Sequence, residues 1–257
     1  MILHQIPFDP GPLDTMTARL CRTMDAMDRQ WSARIKPAPA EKIETLSSDL
    51  TRRGWTIPAA YRYFLKAMGQ GDGGLLEQEW DGGTEASIDR ILEEYPDYFD
   101  EPRWQGHLLF STHWTESNLF LSLTGAENPP VDHYAGRFAD SFENYLFQMA
   151  FRRAEDTQFL YQTCCSTSKE DFQDILSRYS ALSYRSPMDL MEQLLAPWEL
   201  QCAWFSDSVR LCGVAPEYLI SVDLSWALNI KLSSDSHAVL RQKRADLTRL
   251  FGDLIHW

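Results

Sequence analysis

A chain of 257 residues with 44% hydrophobic and 24% charged side chains is long enough for one large core or two small ones, and too apolar for wholesale disorder. Its formal net charge of −13 argues against nucleic acid or anionic lipid as a partner, since both carry the same sign. No apolar run approaches the roughly 20 residues of a membrane helix, and residues 1–7 lack the basic start and long apolar stretch of a signal peptide, so a cytosolic location is expected.

In chain order, Met16, Leu20, Met24, Met27 and Trp31 recur at helical spacing and predict an amphipathic helix over 14–31, capped by Asp14 or Thr15. Residues 36–40, with Pro37 and Pro39, read as a stiff linker, because proline is excluded from a helix interior. Ile43, Leu46 and Leu50 mark a second helix stopped by Gly54. Pro58 opens a third, striped by Tyr61, Phe64, Leu65 and Met68 and ended by Gly69. Residues 69–83 are glycine-rich but fit no phosphate-binding loop. A short acidic helix is expected over 85–95, ended by Pro96, followed by strand-like runs at 106–111, 118–124 and 131–135. Asp140-Ser141-Phe142-Glu143 reads as a capping box for a helix bearing Phe142, Tyr145, Leu146 and Met149.

After about Arg153 the order recurs in kind. Ser168 caps a helix with Phe172, Ile175, Leu176 and Tyr179, and Ser186-Pro187 opens another with Leu190, Met191, Leu194 and Leu195. Strand-like segments follow at 199–205, 208–213, 217–224 and 226–232, and Asp235 or Ser236 caps a last helix with Leu240, Leu247, Leu250, Phe251 and Leu254. Helices followed by an antiparallel sheet and a further helix give an α+β protein, not an alternating βαβ one. The expected division is an N-terminal helical segment at 1–37, a domain at 38–155, and a smaller α+β region at 156–257.

Charge is unevenly spread over these parts. Residues 1–37 carry +1, residues 38–155 carry −10, and residues 156–257 carry −4. Most of it lies in 72–101, where Asp72, Glu77, Glu79, Asp81, Glu85, Asp89, Glu93, Glu94, Asp97, Asp100 and Glu101 face a single base, Arg90. Mutual repulsion on this scale opposes folding, and a basic partner would offset it while speeding encounter. Trp80, Tyr95, Tyr98, Phe99 and Trp104 interleave with the acids, as aromatic anchors do at protein interfaces. The expected partner-binding set is therefore Asp72, Glu77, Glu79, Trp80, Asp81, Glu85, Glu93, Glu94, Asp97, Asp100, Glu101 and Trp104. A solvated acidic face without a partner is the plain alternative.

Residues 41–152 also carry a series of local signatures: Ile43-Glu44-x-Leu46; Ile57-Pro58-Ala59-Ala60-Tyr61-Arg62-Tyr63-Phe64-Leu65 running into the glycine-rich loop; Asn118-Leu119-Phe120-Leu121-Ser122-Leu123-Thr124-Gly125; Val131 and Tyr134; and Phe138-Ala139-Asp140-Ser141-Phe142-Glu143-x-Tyr145-Leu146. In this order they resemble the SUKH superfamily, which includes the yeast regulator of cell-wall assembly and many bacterial toxin-immunity proteins. The acidic stretch 75–105 and everything after 155 depart from that pattern. The resemblance implies binding without catalysis and without a cofactor. It points to neutralisation of a cognate toxin, often a nuclease, or to a regulatory scaffold for an endogenous protein, as in the eukaryotic members.

An enzymatic reading rests on Asp132, His133 and His113, the one triad-like group the predicted strands bring near each other. No calcium loop, HExxH or GxSxG is present, and the six histidines are scattered, so no metal site is expected. Five cysteines, with no CxxC, read as reduced thiols. Cys164 and Cys165 are expected in a loop, and Cys202 and Cys212 as two buried thiols across a hairpin. Arg52-Arg53, Arg152-Arg153 and the bases at 241–244 read as solvated helix ends.

Overall fold

The computed structural model describes residues 10–76, 84–99, 101–113 and 118–257, without the side chains of Thr84 and His113. The chain divides into two compact units, at residues 10–150 and from Phe151 onward. Both mix helices with antiparallel sheet, the α+β class.

In the first unit, α1 (Met16–Met27) buries Met16, Leu20 and Met24. The helix stops at Met27 and does not reach Trp31, because Asp28 is extended and Gln30 is left-handed. Trp31 instead enters the core from a separate 3-10 turn, where its indole Nε1 donates to the Gly73 carbonyl at 3.0 Å. Gly73 has φ +66°, and a Cβ there would lie 2.8 Å from that nitrogen, so a side chain is excluded twice over. Residues 36–40 are built into the unit. Strand β1 (Ile35–Lys36) pairs with β2 (Gly71–Asp72), and the Ala38 N–H donates to the Leu65 carbonyl at 2.9 Å.

Helices α2 (Ala40–Arg52) and α3 (Ala59–Met68) each follow a proline, Pro39 and Pro58, and bury the stripes read from their spacing. Gly69 ends α3 with an ordinary φ of −71°. Glycine is needed there because a Cβ would lie 2.7 Å from the Leu65 Cα. After β3 (Thr84–Glu85), α4 (Ile88–Phe99) runs through Pro96 instead of stopping before it. The proline forfeits one helical hydrogen bond. Burial of Tyr95 and Phe99, whose rings meet edge-on at 6.4 Å, holds the last turn nonetheless.

Strands β4 (His107–His113), β5 (Leu119–Ser122), β6 (Val131–His133) and β7 (Gly136–Ala139) join β3 in an antiparallel meander of order β3-β4-β5-β6-β7. Strand β7 lies beyond the strand-like run expected at 131–135. Its Gly136-Arg137-Phe138-Ala139 run is too short to show alternation, and pairing with β6 creates it. Helix α5 (Phe142–Thr157) is capped by Ser141, whose Oγ accepts the Asn144 N–H at 3.1 Å. The Asp140–Glu143 box is not what caps it: Glu143 turns inward to pair with Arg19 and to accept from Asn128 at 3.3 Å. Phe142 then sits among Tyr61, Phe64 and Phe110, with centroids 5.2–5.6 Å apart and near-perpendicular rings.

The last residues of α5 belong to the second unit. There β8 (Tyr161–Ser166) replaces the loop expected around Cys164 and Cys165. Alternation on this strand buries Cys165 and exposes Cys164. Helices α6 (Lys169–Arg178), α7 (Pro187–Leu195) and α8 (His237–Phe251) are capped by Ser168, Ser186 and Ser236, each accepting an N–H three residues on. Strands β9 (Gln201–Cys202), β10 (Arg210–Ala215), β11 (Tyr218–Asp223) and β12 (Asn229–Ser234) complete an antiparallel sheet of order β8-β12-β11-β10-β9. Cys202 is exposed where burial was expected, since β9 is a two-residue edge strand, and all five thiols are free. Ile220, Val222, Ile230 and Leu232 form the core with Phe172, Ile175, Leu190, Met191, Leu240 and Phe251 from the three helices. Among the described residues no helix is long and apolar enough to cross a membrane.

Candidate functional site

Helix α4 is amphipathic, so the acids of 85–101 are sorted by its turn. Ile88, Ile91, Tyr95 and Phe99 face inward, and Asp89, Glu93 and Asp97, spaced four residues apart, line the outer face. Three of the acids are matched within the unit. Asp89 pairs with Lys42 and accepts from Gln70 at 3.0 Å, and those hydrogen bonds, the lysine's first, hold its carboxyl below the usual range. Arg90 reaches Glu93 at 3.1 Å and also pairs with Glu94. Asp97, Glu101 and Glu85 have no cation partner among the described residues, although the Glu85 carboxylate accepts from the Ser87 hydroxyl at 3.1 Å.

Glu94, Asp97 and Glu101, with Tyr98 and Tyr134, line a groove of about 470 Å³. The Tyr98 oxygen accepts from the Asn118 amide at 2.7 Å, which fixes the ring. Burial first, then Tyr134 and the carboxylates of Glu94 and Glu101, push the Tyr98 phenol up, so it stays neutral at every physiological pH. Tyr134 stands 37% exposed at the groove's edge. The guanidinium of Arg103 lies 4.8 Å from the centre of its ring and donates to its carbonyl. Tyr134, one of the groove's lining residues, thus already holds a cation against its ring.

The remaining sequence candidates are scattered. Asp72 caps the loop after β2 by accepting the N–H groups of Gly74 and Leu76 at 2.9 and 3.1 Å. Trp104 is a core residue and not a surface anchor: it is 4% exposed and stacks on Phe120 with centroids 3.7 Å apart. Glu77, Glu79, Trp80, Asp81 and Asp100 lie outside the described residues. Tyr134, absent from the expected partner-binding set, is brought to the acids by the β6–β7 turn. No local signal in the sequence marks that proximity.

Of the Asp132–His133–His113 group, the two described side chains, Asp132 and His133, point apart on β6. Adjacent strand residues face opposite ways. Asp132 meets His107 at 3.5 Å and Arg137 at 2.8 Å. Burial alone would raise its carboxyl, but these two partners outweigh that and lower it. His133 is buried against Phe138, and its Nδ1 accepts the Ala135 N–H at 2.9 Å. His113 ends β4, with its side chain outside the description. Among the described residues no three His, Cys, Asp or Glu side chains gather to hold a metal ion.

Compared with family models, curated proteins and solved structures, the chain matches none of them.

Proposed function

We propose that the protein is a cytoplasmic immunity protein that binds a basic toxin domain one-to-one and acts by covering its active or substrate surface. One observation carries the reading: Asp97 and Glu101, with no cation partner among the described residues, frame a groove walled by Tyr98 and Tyr134. The groove suits an arginine or lysine side chain, which would meet carboxylates at its head and tyrosine faces along its stem, as Arg103 already meets Tyr134. Carboxylates held together in this way also draw a basic partner over long distance and orient its approach. The resemblance of residues 41–152 to SUKH-type immunity domains points to the same role, and a protein that works by occupancy needs neither metal nor cofactor.

The test is protection of cells that express a candidate basic toxin encoded beside this chain. The wild type is expected to protect. Asp97→Lys with Glu101→Lys should fail to protect while melting at the wild-type temperature, because both positions are exposed. Undiminished protection by the double variant would remove the groove from the mechanism.

A further inference from the structure

The carboxyl of Glu155 is wholly enclosed in the second unit, where nothing in the proposed function uses it. It stands on the final turn of α5, over the sheet face that β11 and β12 present opposite their core side. The Ser221 hydroxyl lies 2.9 Å from its Oε2, whereas Oε1 is buried with no hydrogen-bond partner. On the same face of the sheet, Ser233 also buries an unpartnered hydroxyl; its register partner Leu219 is two residues from Ser221.

Three features of this geometry disfavour a charge on Glu155. A buried carboxylate is stabilised by two or three donors, and only one hydroxyl reaches this one. The final turn of a helix is the negative end of its dipole, which opposes an anion. The cation that acts on it most, Lys231 on β12, is already paired with Asp156, the next residue along α5. The other groups around it do not change the balance. Arg152 on the same helix attracts a negative charge and Asp156 repels it. On β10 the buried Cys212 thiol is itself pushed up by burial and by Glu155, and Arg210 is bound to Asp223 at 3.1 Å. As a neutral acid, Glu155 keeps its proton, donates a hydrogen bond from its carboxyl O–H to the Ser221 oxygen, and needs no further donor.

We propose that Glu155 is a proton-operated latch: it enters the fold as the neutral acid, pins the last turn of α5 to β11, and weakens that anchorage when it ionises. The turn is also held by Gln162 on β8, whose amide donates to the Glu155 and Asp156 carbonyls at 2.7 and 3.0 Å, so ionisation loosens a short segment around 151–157 and does not unfold the unit. Burial, the largest cause, pushes the carboxyl up from 4.5 to about 8. The folded protein therefore holds a proton that the unfolded chain gives up. The stability tied to that proton is complete below the unfolded value, falls as pH rises, and levels off once the folded value is passed.

The experiment compares wild type with Glu155→Gln, which keeps the shape and a donor but cannot ionise, by urea unfolding from pH 5 to 9. The wild-type unfolding constant, relative to the variant, should rise about tenfold per pH unit up to about pH 8 and then flatten. Hydrogen exchange should show residues 151–157 losing protection above that pH in the wild type alone. Parallel pH profiles for the two proteins would overturn the proposal. Should the variant not fold, carboxyl-carbon NMR of the wild type decides. A glutamate carboxyl titrating near 8 supports the latch, and all glutamates titrating at ordinary values defeat it.

Discussion

On α4 the outward acids Asp89, Glu93 and Asp97 stand in water, and a lysine or arginine matches two of them at the surface. Glu155, next to an exposed Asp156–Lys231 pair, is enclosed against β11 with one hydroxyl for company. The same functional group is kept charged on α4 and driven neutral at Glu155. Water solvates the charges on α4 at little cost, and their repulsion becomes available to any basic surface that approaches. Enclosure removes that solvation from Glu155, so the proton becomes the least expensive counter-charge. Composition counts both kinds of acid alike in the net charge of −13, but only the first kind advertises itself to a partner.

The strongest test of this contrast is Arg210. Its guanidinium is buried and bonds Asp223, whose carboxyl burial would raise but Arg210 and Ser225 hold low. Arg210→Ala should strand that carboxyl and destabilise the second unit by about 3–5 kcal/mol in urea unfolding. The sign with pH is opposite to that of Glu155. Asp223 contributes stability above its ordinary value of 3.8 and loses it as pH falls through the lower folded value. The second unit should therefore lose stability toward both acid and alkali, with Arg210→Ala removing the acid limb and Glu155→Gln the alkaline one.

Next in size is Trp104→Ala, which empties the stack on Phe120 and should cost about 3 kcal/mol in thermal melts. A change below about 0.5 kcal/mol would return Trp104 to the surface and to the list of partner anchors. The smallest stability effect belongs to Asp97→Lys with Glu101→Lys, within about 0.5 kcal/mol, although these are the changes expected to weaken binding most. Salt sharpens the distinction: raising it from about 0.05 to 0.5 M should slow wild-type association more than that of the double variant, since screening removes what the substitutions already removed.

Helical stripes were legible wherever apolar residues repeat behind a cap. Ile43, Leu46 and Leu50 on α2, Phe172 and Ile175 on α6, and the caps Ser168 and Ser186 all stand where the sequence places them, and of Asp235 and Ser236 the second caps α8. Short strands were less so. The β7 residues and Tyr161-Gln162-Thr163-Cys164-Cys165-Ser166 carry too few alternations to declare themselves, and their ladders supply what local sequence lacks. Pro96 misled for the opposite reason: a strong local breaker yielded to the burial of Tyr95 and Phe99.

The sequence by itself determined the α+β class, the location of the acid-rich segment, and which helix faces turn inward, because periodicity and charge density are properties of neighbours along the chain. Which carboxylate meets a cation, which tyrosine flanks the acids, and which glutamate is sealed from water were decided only by tertiary structure. Each depends on residues far apart in sequence: Lys42 with Asp89, Tyr134 with Tyr98, and Ser221 with Glu155. A carboxyl's charge is set by the solvent and donors around it, and those are assembled only when the strands and helices close over it.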